Sequence, residues 1–203
     1  MNRSRVYRAA SHSLDHVDFR PGVPERYLAR GMTEDQFWQN IERACQSDSR
    51  LQDEWHHRLV AALSQLAADD IVEWNHIFDR FVAAASTIDL MAACYVMNTG
   101  AGDDGFYYFR CWLVGMGKAV YDPAIINPDT LASVALPWSS GIDAEAEIYG
   151  AAHEAWMQVS GQPDTAPYPA RNETAELTGE DWDFDNDKLL RDHLPKLSAF
   201  YDD

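Results

Sequence analysis

Gly102-Asp103-Asp104-Gly105-Phe106-Tyr107-Tyr108-Phe109-Arg110-Cys111-Trp112-Leu113 gathers two carboxylates, an arginine and a run of aromatic rings into one short stretch. A turn carrying two acids and opening an aromatic helix can form a pocket in which Arg110 meets an anionic ligand and an aspartate orients it. With the flanking aromatics as walls, the candidate ligand site is Trp38, Asp103, Asp104, Arg110 and Trp112. The same residues have a structural reading. Acids at a helix start suit the positive end of the dipole, and an arginine among Phe106, Phe109 and Leu113 calls for a carboxylate, which predicts a helix cap and a buried ion pair.

A second constellation is Glu73-x-x-His76, echoed by Asp53-x-x-His56 with His57 beside it. Residues i and i+3 share a helix face, so each pair can offer a carboxylate and an imidazole to a transition metal, as in carboxylate-bridged bundles. Such a centre needs inward carboxylates from two further helices, for which Glu42 and Glu154 are the candidates. Surface-facing His and Glu are the commoner outcome, so no cofactor is expected. The alternative is a metal-dependent hydrolase or oxygen-activating bundle built on Asp53, His56, Glu73 and His76. Other motifs are incomplete. His153-Glu154 lacks the second histidine of a metalloprotease, and Ser139-Ser140-Gly141 lacks the strand-turn-helix setting of a nucleophile elbow. The acids from Glu180 to Asp187 lack the glycine and terminal glutamate of a calcium loop.

The elements that must position these groups are helical. Thr33-Glu34-Asp35-Gln36 is a capping box opening a helix to about Cys45 that buries Phe37, Trp38 and Ile41. Leu51, Trp55, Leu59, Leu63 and Leu66 recur by four, four, four and three, which lines one helix face. Asp70-Ile71-Val72-Glu73 signals a third helix using Ile71, Trp74, Ile77, Phe78 and Phe81. The apolar run from Ile88 to Met97 fits a central helix better than a strand, because it carries Ala92, Ala93 and two Met. A fifth helix begins at Asp103 or Asp104 and closes near Gly115 or Gly117. Asn127-Pro128 opens a short helix to about Val134, and a longer one is expected from Asp143 to Ser160, stopped by Gly161. Leu189, Leu190, Leu194, Leu197 and Phe200 keep helical spacing around Pro195. The fold class is all-α: a compact multi-helix bundle with an extended N-terminal arm and a docked C-terminal helical tail. Residues 1–31 form the Arg-rich arm, 32–160 the helical core, and 161–203 a Pro-containing connection and acidic tail.

Charge narrows the partners. The net charge of -17 is uneven: six Arg oppose three acids over residues 1–31, six bases oppose nineteen acids over 32–160, and four oppose eleven over 161–203. So acidic a body repels nucleic acid and anionic lipid, whose contacts rely on Lys and Arg. Neither is an expected partner. Basic partners and cationic ligands remain open, beside plain solubility. Cys45, Cys94 and Cys111 stand at no metal-like spacing and read as reduced core thiols. No apolar window is long enough to cross a bilayer, so a cytoplasmic protein is expected.

Met32-Thr33-Glu34-Asp35-Gln36-Phe37-Trp38, the stretch from Gly102 through Leu113, and Asn127-Pro128-Asp129-Thr130-Leu131-Ala132 together resemble the bacterial domain of unknown function family 4240. The resemblance covers roughly residues 32–160. It implies that the arm of residues 1–31 is an addition to the family domain. Trp182 and His193-Leu194-Pro195-Lys196-Leu197 are also similar to family C-termini. The resemblance implies no activity; the site chemistry, rich in aromatic anchors and poor in complete catalytic motifs, points to an accessory or regulatory module, non-enzymatic, binding a protein or small-molecule partner, with homo-oligomerisation through the N-terminal arm also open.

Overall fold

Every described element is a helix, a short 3₁₀ turn or a connection. The computed structural model describes residues 31–45, 52–140, 142–163, 165–169 and 175–202, the side chains of Gln52 and Asp53 excepted. The expected arm, apart from Gly31, and Leu51 lie outside the described residues. In chain order the helices are α1 (Glu34–Ala44), α2 (Gln52–Leu63), α3 (Ala68–Ala84), α4 (Ile88–Asn98), α5 (Asp103–Gly115), α6 (Lys118–Ile126), α7 (Ala151–Ser160), α8 (Asp187–His193) and α9 (Pro195–Tyr201). The protein is all-α among the described residues. No described helix is long and apolar enough to cross a membrane.

The capping box forms as its spacing requires. The Gln36 N–H donates to Thr33 Oγ1 at 3.2 Å and the Thr33 N–H to Gln36 Oε1 at 2.9 Å. This start fixes the phase of α1 so that Phe37, Trp38 and Ile41 are all buried. α2 buries Trp55, Leu59 and Leu63, and α3 buries Ile71, Trp74, Ile77 and Phe78. α3 starts two residues before Asp70, with Ala67 as a cap that offers no side-chain oxygen. α7 packs across α2 and α3, and α5 touches α1, α3 and α4. Burial holds the Cys45, Cys94 and Cys111 thiols up at about 12, so they stay protonated core groups.

Two stretches depart from the sequence reading. α7 begins at Ala151, eight residues after the expected start at Asp143. Before it, Ala144, Ala146 and Ile148 are buried while Asp143, Glu147 and Tyr149 are exposed, the two-residue alternation of a non-helical run. Its backbone donors are taken elsewhere: the Ala144 N–H by Asn98 Oδ1 at 2.9 Å and the Ala146 N–H by the Tyr108 carbonyl at 3.2 Å. α6 had no counterpart in the expectation, because Pro123 and Asn127-Pro128 punctuate it. The buried indole N–H groups of Trp38, Trp55, Trp74 and Trp112 also differ from the rule that a buried polar tip finds a partner; none has an acceptor among the described residues.

The tail docks through backbone donors. Asp129, only 3% exposed, accepts from the Lys196 and Leu197 N–H groups at 2.8 and 2.9 Å, which caps α9 from the 3₁₀ turn Pro128–Ser133. Thr178 exchanges backbone hydrogen bonds with Ser86 and Ile88, beside the start of α4.

Candidate functional site

The five residues proposed as a ligand site are not brought together. Trp38 is 3% and Trp112 1% exposed, each buried in the core. Trp38 packs on Phe37, Phe81 and Tyr121 near the C-terminal end of α5, whereas Asp103 and Asp104 stand exposed in its first turn. At 1.5 Å per residue the two ends of α5 are about 20 Å apart. Neither aspartate makes a side-chain cap; Gly102 occupies that position.

Arg110 corrects the expected ion pair. Among the described residues it makes no salt bridge. Its Nη1 donates to the Val82 carbonyl at 3.1 Å and its Nε to the Phe106 carbonyl at 3.3 Å, while the guanidinium lies 4.8 Å over the Phe106 ring. Val82 is in the last turn of α3, where the Phe81 and Ala83 carbonyls accept from the Ala85 and Ser86 N–H groups, and the cation at Val82 serves the negative end of that helix. The Tyr121 hydroxyl adds a second donor to the Phe81 carbonyl at 2.7 Å, beside the Ala85 N–H at 3.1 Å. Desolvation lowers the Arg110 pKa from its ordinary value, and the charge survives on helix carbonyls and ring faces.

The metal alternative is only partly described, since the Asp53 side chain lies outside the described residues. His56 faces the Glu154 carboxylate at 2.9 Å through Nε2 and the Glu147 carbonyl at 3.2 Å through Nδ1, linking α2 to α7. Glu73 is exposed and His76 half-buried on α3. Among the described residues no three of His, Cys, Asp and Glu cluster in a way that could hold a metal ion.

Space for a ligand lies elsewhere, in a cleft of about 310 Å³ where the C-terminal end of α4 meets α8 and α9. That volume is at the lower end of small-molecule sites. Tyr95 and Val96 of α4 and its C-cap Thr99 line the cleft, together with Leu190 of α8 and Tyr201 of α9. Trp138 stands at the mouth, 51% exposed, its ring stacked on Tyr201 at 4.8 Å and 19°. Two hydrogen bonds fix this aromatic platform: Trp138 Nε1 donates to the Met97 carbonyl at 3.1 Å and the Tyr201 hydroxyl to the Leu136 carbonyl at 2.9 Å. Thr99 is left-handed, with φ 56°, costing a β-branched residue roughly 1–2 kcal/mol. Ser198 is 7% exposed, lines the cleft and has a hydroxyl with no hydrogen-bond partner among the described residues.

Charge in the cleft is ordered. Arg191 donates from Nε to Asp202 Oδ2 at 3.1 Å, and this bond raises its pKa further. Asp187, in the first turn of α8, makes no salt bridge or hydrogen bond through its side chain among the described residues, though its charge adds to the rise in the Arg191 pKa. Tyr95 is held above its usual range chiefly by a hydrogen bond to Asp185, and burial pushes Tyr201 up to about 12. Both phenols therefore stay protonated at neutral pH.

Residues 32–158 match the model of a family described as protein of unknown function, DUF4240. The chain belongs to the DUF4240 family. No curated protein and no solved structure matches it. Tyr95, Val96, Thr99 and Trp138 fall inside the DUF4240 segment, while the walls from α8 and α9 lie beyond it. The tail thus completes a cleft that the DUF4240 segment begins, and the acceptor that seats α9, Asp129, belongs to that segment. Sequence reasoning missed the cleft. Trp138 opens the short 3₁₀ turn Trp138–Ser140, whose sequence carries no periodic signal, and only the tail's apolar spacing hinted at docking. Trp112, which that reasoning did single out, lies one layer behind, sharing a void of about 10 Å³ with Tyr201.

Proposed function

We propose that this DUF4240 protein is a non-enzymatic binding module of accessory or regulatory type, and that its ligand enters the cleft between α4, Trp138 and the tail helices. The observation that carries this reading is the half-exposed Trp138 platform, fixed by hydrogen bonds beside a cleft that Ser198 also lines, its buried hydroxyl without a hydrogen-bond partner among the described residues. The lining groups are suited to holding a ligand. None is a histidine or cysteine, and the guanidinium of Arg191 is already committed to Asp202. A rigid aromatic face beside a few placed polar groups is the makeup of a recognition site. The test is a fragment screen read by indole N–H resonances of ¹⁵N-labelled protein, with the Trp138 signal assigned by Trp138→Phe. Ligands should shift that signal and lose affinity in Trp138→Ala. Ligands that bind while leaving it unmoved would place the site elsewhere.

A further inference from the structure

We infer that the cleft selects an organic cation, an alkylguanidinium or alkylammonium group on a short apolar stem; this rests on the cleft being the ligand site. Three independent features converge on positive charge. The first is the charge count: Asp187 and Asp202 line the cleft against one cation, and Arg191 is hydrogen-bonded to Asp202 and only feels the charge of Asp187, so the lining keeps one negative charge in excess and the Asp187 carboxylate makes no salt bridge or hydrogen bond among the described residues. The second is the end of α4. Although its Met97 carbonyl is held by Trp138 and its Tyr95 carbonyl by the Thr99 and Gly100 N–H groups, this end at Thr99 carries the negative pole of the helix dipole, which favours a cation. The third is the platform, because the face of a half-exposed indole attracts a cation, and a planar guanidinium stacks on it best.

The remaining surfaces set the size and the stem. Val96 and Leu190 give an apolar lining that suits a few methylene groups, and about 310 Å³ admits a side chain or small amine rather than a dinucleotide. Ser198 offers a buried oxygen still lacking a partner among the described residues. An anion would meet the Asp187 carboxylate and the carbonyl end of α4 together, and the one positive group lining the cleft is paired. The chemistry is shared by a free amine and by an arginine or lysine side chain of a partner protein.

The test is calorimetric titration of the full chain with butylguanidinium, with its neutral isostere butylurea, with pentanoate and with N-acetyl-arginine amide. Butylguanidinium should bind at least about tenfold more tightly than butylurea. Asp187→Asn should erase most of that preference, and Trp138→Leu should weaken the cation about fivefold. Raising the salt concentration should weaken the cation more than the isostere. Capped arginine binding as well as butylguanidinium identifies a protein side chain as the source, whereas butylguanidinium alone identifies a free ligand; either supports the cationic site. Butylurea or pentanoate binding as tightly, with the Trp138 indole signal shifted, overturns the choice of cation while leaving the cleft as the ligand site. Tight cation binding with Asp187→Asn and Trp138→Leu both silent overturns the assignment to this cleft. No binding by any of the four overturns the inference, and the fragment screen then decides separately on the cleft.

Discussion

Gly115→Ala sets two physical effects of opposite sign against each other. Gly115 is the last residue of α5, and replacing glycine by alanine in a helix gains up to about 1 kcal/mol from backbone entropy alone. A Cβ at this position, however, would stand 2.5 Å from Trp55 Cζ3 and 2.7 Å from Cε3, with Ile148 Cδ1 at 3.4 Å. Trp55 is fully buried, so its ring cannot swing into solvent, and α5 and α2 would have to part by roughly 1 Å to restore ordinary contact. Overpacking of this kind costs about 1–3 kcal/mol. The net expectation is a loss of about 1–2 kcal/mol, read as a fall in the urea midpoint at constant m-value. Gly105→Ala in the same helix is the internal control. Its Cβ would meet only the end of the Glu145 side chain, at 3.1 Å, which can yield, so that change should be neutral or stabilising by up to about 1 kcal/mol. Trp55→Leu removes the benzo ring and should abolish the Gly115→Ala penalty in the double mutant. A Gly115→Ala protein as stable as its parent, or a penalty that persists undiminished in the Trp55→Leu background, would refute the argument.

Three further outcomes follow from the same contacts. Asp129→Ala removes the acceptor of two α9 N–H groups and should cost about 1–2 kcal/mol, with limited proteolysis cutting sooner within residues 187–202 than in the parent. Arg110→Met leaves the Val82 carbonyl buried without its donor and should lose about 1–3 kcal/mol by urea unfolding, even though no ion pair is broken among the described residues. Desolvation first, and then the charges of Asp143 and Glu147, raises the Glu145 pKa above its ordinary value. The native state therefore holds more protons between the ordinary and the raised value, and stability falls as pH rises through that window. Glu145→Gln should raise the melting temperature at pH 7–8 and leave it unchanged below the ordinary carboxylate range; an equal gain at both ends would sink this assignment.

Much of the helical inventory is written locally. Thr33 and Gln36 mark the start of α1 because the capping box closes within four residues, and Trp55-Leu59-Leu63 mark α2 because one helix face is spaced by three and four. Asn127-Pro128 likewise opens the 3₁₀ turn, where Asn127 Oδ1 accepts the Asp129 N–H. The start of α7 was not legible. Ala144, Ile148 and Ala152 fit a helical stripe as well as Ala144, Ala146 and Ile148 fit an alternating one, and the choice is made by Asn98 and the Tyr108 carbonyl, acceptors 46 and 38 positions away from the residues they hold. Arg110 shows the same limit, since the sequence required a partner for its charge but could not say that the end of α3 would supply it.

What the sequence determined by itself was family membership, the all-α class and the faces that α1, α2 and α3 bury, since each is encoded in neighbours one or two helical turns apart. Only the tertiary structure decided where the cleft lies. Its walls come from residues 95–99, 138 and 187–202, and they meet because Asp129 accepts two backbone donors near residue 196, a pairing that no local periodicity encodes.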